Sequence, residues 1–164
     1  LAIQLGHTPQ TQALLASHYD ATPSLDVLDA LVSYAGPARK IHAQVLSLQP
    51  QPNPRDTITV LFEFEKGMSG TLASIRSTAF VWRIHVFGDQ GSAEAVGENE
   101  LVVRLNGQAP QRFTYEPVDT LAAEFEVFAD AVAGRSAYPV TGDEMIATIA
   151  AFEAVVSAVK GPNL

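Results

Sequence analysis

The stretch Asp56-Thr-Ile-Thr-Val-Leu-Phe-Glu-Phe-Glu-Lys66 decides the fold. Successive side chains of a strand point to opposite faces, so Ile58, Val60, Phe62 and Phe64 share one face while Thr57, Thr59, Leu61 and Glu63 share the other. One face is built for a core and the other for water or a partner. Lys66-Gly67-Met68 turns the chain into Ser69–Thr78, and the pair reads as an antiparallel hairpin.

The same period continues outward. Val81–Gly88 is a strand with Trp82, Ile84 and Val86 on one side and Val81, Arg83, His85 and Phe87 on the other. Gly88-Asp89-Gln90-Gly91 is a tight turn into Ser92–Val96, and Leu101–Asn106 and Gln111–Tyr115 form two shorter strands around Asn106-Gly107. Residues 38–48 precede them, and the Pro-rich run Gln49-Pro-Gln-Pro-Asn-Pro54 is a loop, since each proline removes a ladder donor and restrains its predecessor.

Helical patterns lie on both sides of this strand block. Leu121, Phe125, Phe128, Ala129 and Val132 recur at helical spacing, with Gly134 where a C′ glycine belongs. Thr141-Gly-Asp-Glu144 matches a capping box, and Met145, Ile149, Phe152, Val156 and Val159 follow on one face. Leu25, Leu28, Leu31 and Val32 form an earlier amphipathic segment, bounded by Thr22-Pro23 and Gly36-Pro37. The expected fold is α+β: an open, mainly antiparallel sheet of six or seven strands with helices packed on one face. It is organised as one domain over residues 1–164, with an opening helical segment at 1–36, the sheet at 38–115 and helices at 119–160.

Composition narrows the function. The 164 residues are 47% hydrophobic and 17% charged, which suits a globular domain. Ten Lys and Arg face eighteen Asp and Glu, a formal charge of −8, so nucleic acid is not an expected partner. There is no cysteine, which removes disulfides, thiolate metal sites and thiol catalysis. No apolar run reaches the ~18 residues a membrane span needs, and the expected location is the cytoplasm. The chain starts at Leu1 inside an apolar run, and the expectation is a piece of a longer polypeptide.

Few residues carry chemistry on their own. There is no G-x-G-x-x-G after a strand, no P-loop and no G-x-S-x-G elbow. None of His7, His18, His42 and His85 has partners at metal-ligand spacing, so no metal is expected. His7 follows Gly6 at the end of an apolar run, and reads either as a loop or capping histidine or as one able to approach a substrate. Asp26 and Asp29 lie three apart in an expected helix, where Asp26 near the N-terminus is stabilised by free N–H groups; a catalytic pair is the alternative reading. Glu124, Glu126, Asp143 and Glu144 read as solvated faces or caps. Arg76, Trp82 and Arg83 sit on successive strands, where Trp82 is either core or a platform for a polyol or partner.

The order of these segments resembles the C-terminal domain of the Gfo/Idh/MocA oxidoreductases, the glucose-fructose oxidoreductase and inositol dehydrogenase relatives. Phe62-Glu-Phe-Glu-Lys-Gly-Met-Ser-Gly-Thr-Leu72 looks like the family hairpin F-x-F-x-x-G-x-x-G-x-L, and Ile84-His-Val-Phe-Gly-Asp-Gln-Gly-Ser92 like its strand and turn. Phe125–Gly134, Pro139–Glu144 and Glu153–Gly161 resemble its closing helices, so the likeness runs over roughly residues 36–161. The resemblance implies a dihydrodipicolinate reductase-like C-terminal domain. It also implies that an N-terminal Rossmann domain, not present in these residues, holds NAD or NADP and supplies the Glu-Lys-Pro lysine, so this chain alone has no cofactor-binding residues and no turnover.

In that family an Asp and a His four residues later enter a helix. Leu1-Ala-Ile-Gln-Leu-Gly-His7 looks like its G-H-T form, which places His7 as the catalytic proton-transfer residue beside Thr8, with Ile3 where the family has Asp. Thr8, Arg76 and Trp82 are the candidate substrate contacts. The implied function is the substrate-binding and subunit-interface half of an NAD(P)-dependent oxidoreductase acting on the CH–OH group of a sugar or polyol. It would form homo-oligomers through the open sheet face. A non-catalytic, sugar-sensing or regulatory relative and a free-standing binding module are the alternatives.

Overall fold

The computed structural model describes residues 2–6, 25–47, 56–75 and 78–160. Eight strands form one sheet: β1 Ala2–Gly6, β2 Ala38–Leu46, β3 Thr57–Phe64, β4 Ser69–Ile75, β5 Trp82–Gly88, β6 Gly91–Val96, β7 Glu100–Leu105 and β8 Gln111–Thr114. Three described helices accompany them: α1 Leu25–Ala35, α2 Thr120–Val132 and α3 Gly142–Lys160. The α+β class and the mainly antiparallel sheet are those the sequence leads one to expect.

The strand order is β2-β3-β4-β1-β5-β6-β7-β8. β2–β4 and β5–β8 are two antiparallel meanders, and β1 lies between them, parallel to β4 (Ile3 opposite Leu72) and antiparallel to β5 (Ile3 opposite Ile84). The sheet therefore has one strand more than the six or seven expected. Residues 1–36 are not wholly a helical opening segment, because Ala2–Gly6 is a strand. Five residues carry too little periodicity to declare a strand, and this one is fixed by pairing with residues about seventy positions away.

β3 does what its alternation dictates. Ile58, Val60, Phe62 and Phe64 are buried in the main core cluster, joined by Leu72 of β4, Val27, Leu28, Leu31 and Ala35 of α1, and Val155 of α3. The Phe62 and Phe64 rings stack with centroids 5.7 Å apart. Gly70 makes room for them, since a Cβ there would come 3.0 Å from the Phe64 ring. The hydroxyl of Thr148 on α3 donates to Asp29 of α1 at 2.9 Å, which fixes the two helices against each other. Asp29 thus has a structural partner.

Local signals set the ends of the elements. Gly36, at φ 78°, closes α1 by donating its N–H to Val32 O at 2.7 Å. The capping box forms as read: Glu144 accepts from Thr141 N and Oγ1 at 2.8 Å each, and Glu144 N donates to Thr141 Oγ1 at 3.2 Å. Those two hydrogen bonds, the backbone one foremost, hold the Glu144 carboxyl below its ordinary value. Asp119 caps α2 by accepting from Ala122 N at 3.0 Å.

Two substitutions check this account. Phe64→Ala removes a ring from the centre of the core and should lower stability by about 3–5 kcal/mol in urea unfolding. Gly91 sits at φ 149°, and a Cβ there would fall 2.0 Å from the Arg104 carbonyl oxygen. Gly91→Ala should cost roughly 1–3 kcal/mol in backbone strain. It should also speed amide exchange along β6 and β7 while leaving β3 protected.

Candidate functional site

The residues singled out from sequence fall in different places. His7, Thr8 and Arg76 lie outside the described residues. Trp82 is described: it begins β5 and packs against the main core cluster, on the side of the sheet that meets α1 and α3. Its neighbour Arg83 therefore projects from the opposite, open face.

That open face carries the chemistry the structure does show. The Gly88–Gly91 turn sets β5 against β6 so that His85 lies opposite Glu94, Arg83 opposite Val96 and Phe87 opposite Ser92. Arg104 of β7 lies opposite Ser92. Glu94 is only 6% exposed. Arg83 Nε reaches its Oε1 at 3.2 Å and Arg104 reaches its Oε2 at 2.7 Å. Burial pushes the Glu94 carboxyl up, but the Arg104 hydrogen bond and the nearby positive charges outweigh it and hold the group below its ordinary value. Val102, opposite Glu94 on the same face, is almost wholly buried. Arg39 pairs with Glu63 and Arg112 with Glu100 on the same face.

His85 completes the cluster. Its ring stacks on Phe87 with centroids 3.9 Å apart, and its Nε2 is buried without a hydrogen-bond partner. Burial lowers its pKa, Glu94 pulls it up, and Arg104 and Arg83 push it down, with a net fall below 6.5. Phe87 is 61% exposed. It lines a groove of about 430 Å³ with His42, Leu61, Glu63, Ser69 and Thr71. Sequence reasoning placed Arg83, His85 and Phe87 on one face but did not join them to Glu94 and Arg104. The signal was present, because a tight turn at 88–91 forces 85 opposite 94.

The closing helices present a second surface. The apolar stripe of α2 is not buried: Leu121, Phe125, Phe128 and Val132 are all exposed, Phe125 at 65%. Met145, Ile146 and Ile149 at the start of α3 are exposed too, and only from Thr148 onward does α3 turn buried side chains, Thr148, Ala151 and Val155, to the core. The stripe was correctly an apolar face, but its partner is not the sheet. The charge is also segregated. Residues 25–35 and 116–160 hold ten acids against Arg135 and Lys160, which accounts for the whole formal charge of −8.

Among the described residues no cluster of His, Asp or Glu is arranged to hold a metal ion, and no helix is long and apolar enough to cross a membrane.

The fold is shared with solved oxidoreductases. UDP-N-acetylglucosamine 3-dehydrogenase from Acidithiobacillus ferrooxidans superposes with a TM-score of 0.77 at 20% identity, over 97% of this chain and 53% of that one. An oxidoreductase from Agrobacterium radiobacter in complex with NAD+, L-tartaric acid and magnesium gives 0.76 at 13% identity, over 98% and 54%. Biliverdin reductase from Synechocystis sp. PCC 6803, in complex with biliverdin and NADP+, gives 0.65 at 16% identity, over 98% and 55%. The chain spans about half the length of the structures it matches. No curated protein matches the sequence. The sequence profile of the GFO/IDH/MocA C-terminal domain matches residues 26–94. From the first turn of α1 to the buried Glu94 of β6, this chain is similar to a GFO/IDH/MocA C-terminal domain.

Proposed function

We propose that the chain is the substrate-binding and subunit-interface half of an NAD(P)-dependent oxidoreductase that acts on the CH–OH group of a sugar or polyol. The observation that carries this reading is the uncovered apolar surface of α2 and the first turns of α3, in a fold that makes up about half of each oxidoreductase it matches. A surface of this size and character marks a contact with another folded unit. A nucleotide-binding domain is the unit that would turn this half into an enzyme.

The dinucleotide itself does not fit the residues of this chain. A pyrophosphate needs a glycine-rich turn opening onto a helix N-terminus. The sequence has no G-x-G-x-x-G. The positive-φ glycines among the described residues close α1 and α2 or sit in strand-to-strand turns. The nicotinamide cofactor would therefore be held by the other domain. In this reading His7 exchanges a proton with the substrate hydroxyl, and Thr8 and Arg76 are the candidate substrate contacts, Trp82 being packed against the core. Cytoplasmic location belongs to the same reading.

The open sheet face is the proposed homo-oligomer interface. Charge segregation supports it, because helical layers that carry the entire net charge repel one another, while the sheet face matches its arginines with Glu63, Glu94 and Glu100. The self-complementary patches of a two-fold contact need this near-neutral balance.

Three outcomes check the reading. Joined to its nucleotide-binding domain, the protein should reduce NAD+ or NADP+ with at least one member of a sugar and polyol panel, and His7→Ala should lower kcat by about 10²–10⁴-fold. Binding of the dinucleotide without turnover would favour the regulatory alternative, and a loss under threefold would return His7 to a structural role. Phe125→Ser with Phe128→Ser should change the stability of the chain alone by less than about 0.5 kcal/mol, yet weaken its association with the nucleotide-binding domain. Light scattering of the chain at tens of micromolar should give at least a dimer, and a monomer would remove the sheet-face interface.

A further inference from the structure

Resting on the sheet-to-sheet assembly just proposed, we propose that acid releases it, and that His85 is the group that takes up the proton. Four features place His85 at the control point. It lies on the open face, opposite Glu94. Its ring backs Phe87, the exposed aromatic that rims the groove beside Leu61 and so stands where a second sheet would land. Its Nε2 is buried and has no hydrogen-bond partner. Finally, both oxygens of the one nearby carboxylate are engaged, Oε1 by Arg83 and Oε2 by Arg104.

A neutral ring tolerates that setting, because an unpaired ring nitrogen is a modest loss. A protonated ring does not. It would bury an N–H with no free acceptor and bring a third positive charge to a carboxylate that already serves two arginines. The charged groups facing it are Glu94 from β6, Arg104 from β7 and Arg83 from β5 itself. Only Glu94 favours the proton, and burial with the cations prevails.

A second sheet laid over the cluster excludes the water that still reaches it. Protonation and assembly therefore compete. The ring already titrates below 6.5 in the separated chain, and burial under a second sheet lowers it further, so assembly is complete above the separated chain's value and is lost as pH falls below it. Glu94, itself held below 4.5, titrates later and does not trigger the release.

The test is light scattering and sedimentation of the whole chain at about pH 7.5 and about pH 5.5, on wild type, His85→Gln, His85→Phe and His42→Gln, the last because His42 lines the same groove. The expected result is that the wild-type dissociation constant rises about tenfold or more on acidification, that His42→Gln behaves like wild type, and that the two His85 variants change less than about twofold. An assembly of unchanged mass at both pH values overturns the proposal while leaving the interface reading intact. A monomer at both overturns the two together. Equal acid release in the His85 variants, or its loss in His42→Gln, also overturns it. If neither His85 variant assembles, the wild-type midpoint must fall within about half a unit of the His85 Cε1 proton titration by NMR, and a midpoint outside that range overturns the assignment.

Discussion

The sheet depends on the pairing of β1. β2–β4 and β5–β8 are each continuous meanders, held by local hairpins, and nothing in those hairpins connects one to the other. Ala2–Gly6 supplies the connection, with five register pairs to β4 on one side and four to β5 on the other. A single interior strand thus turns a three-stranded and a four-stranded antiparallel sheet into one surface. The groove presupposes that union, because it takes His42, Leu61 and Thr71 from one meander and Phe87 from the other.

How much of this can be read from the chain depends on the range of the interaction. β3, the Gly67 turn and the Thr141–Glu144 cap are written locally, in a period of two, a glycine and a spacing of three. The structure returns each of them. The placement of β1 was not legible, since an apolar run of five residues states neither direction nor partner and a parallel pairing has no turn to announce it. The α2 stripe was half legible: helical spacing at Leu121, Phe125, Phe128 and Val132 declares a face to be covered, and is silent on what covers it. The Glu94 cluster falls between these cases. Alternation puts Arg83 and His85 on one face, and a turn four residues long then fixes Glu94 opposite His85. Recognising it needed the register of β5 against β6, and finding Arg104 needed that of β6 against β7 as well. The role of His7 drawn from family resemblance rested on the order of motifs, which fixes a fold more firmly than it fixes the position of any one side chain.

The two surfaces divide the work. The closing helices are apolar and acidic, suited to a partner that differs from this chain. The sheet side is polar, paired in charge and rimmed by Phe87 and Leu61, suited to a copy of itself. The buried Glu94 under two arginines is costly to form and valuable for specificity, because a neighbour that displaces either arginine strips the carboxylate of one of its two counter-charges.

The uneven distribution of charge has a consequence for how two copies meet. With all the excess negative charge on the helical segments, the helices of two copies repel one another before contact. Diffusional encounters are thereby biased toward sheet-first collisions without any attractive long-range force. The bias reaches only as far as the ionic atmosphere allows, about 10 Å near 0.1 M salt, roughly the thickness of one layer of secondary structure. In dilute buffer the orientation is sensed well before touching, and in concentrated salt the copies meet blind.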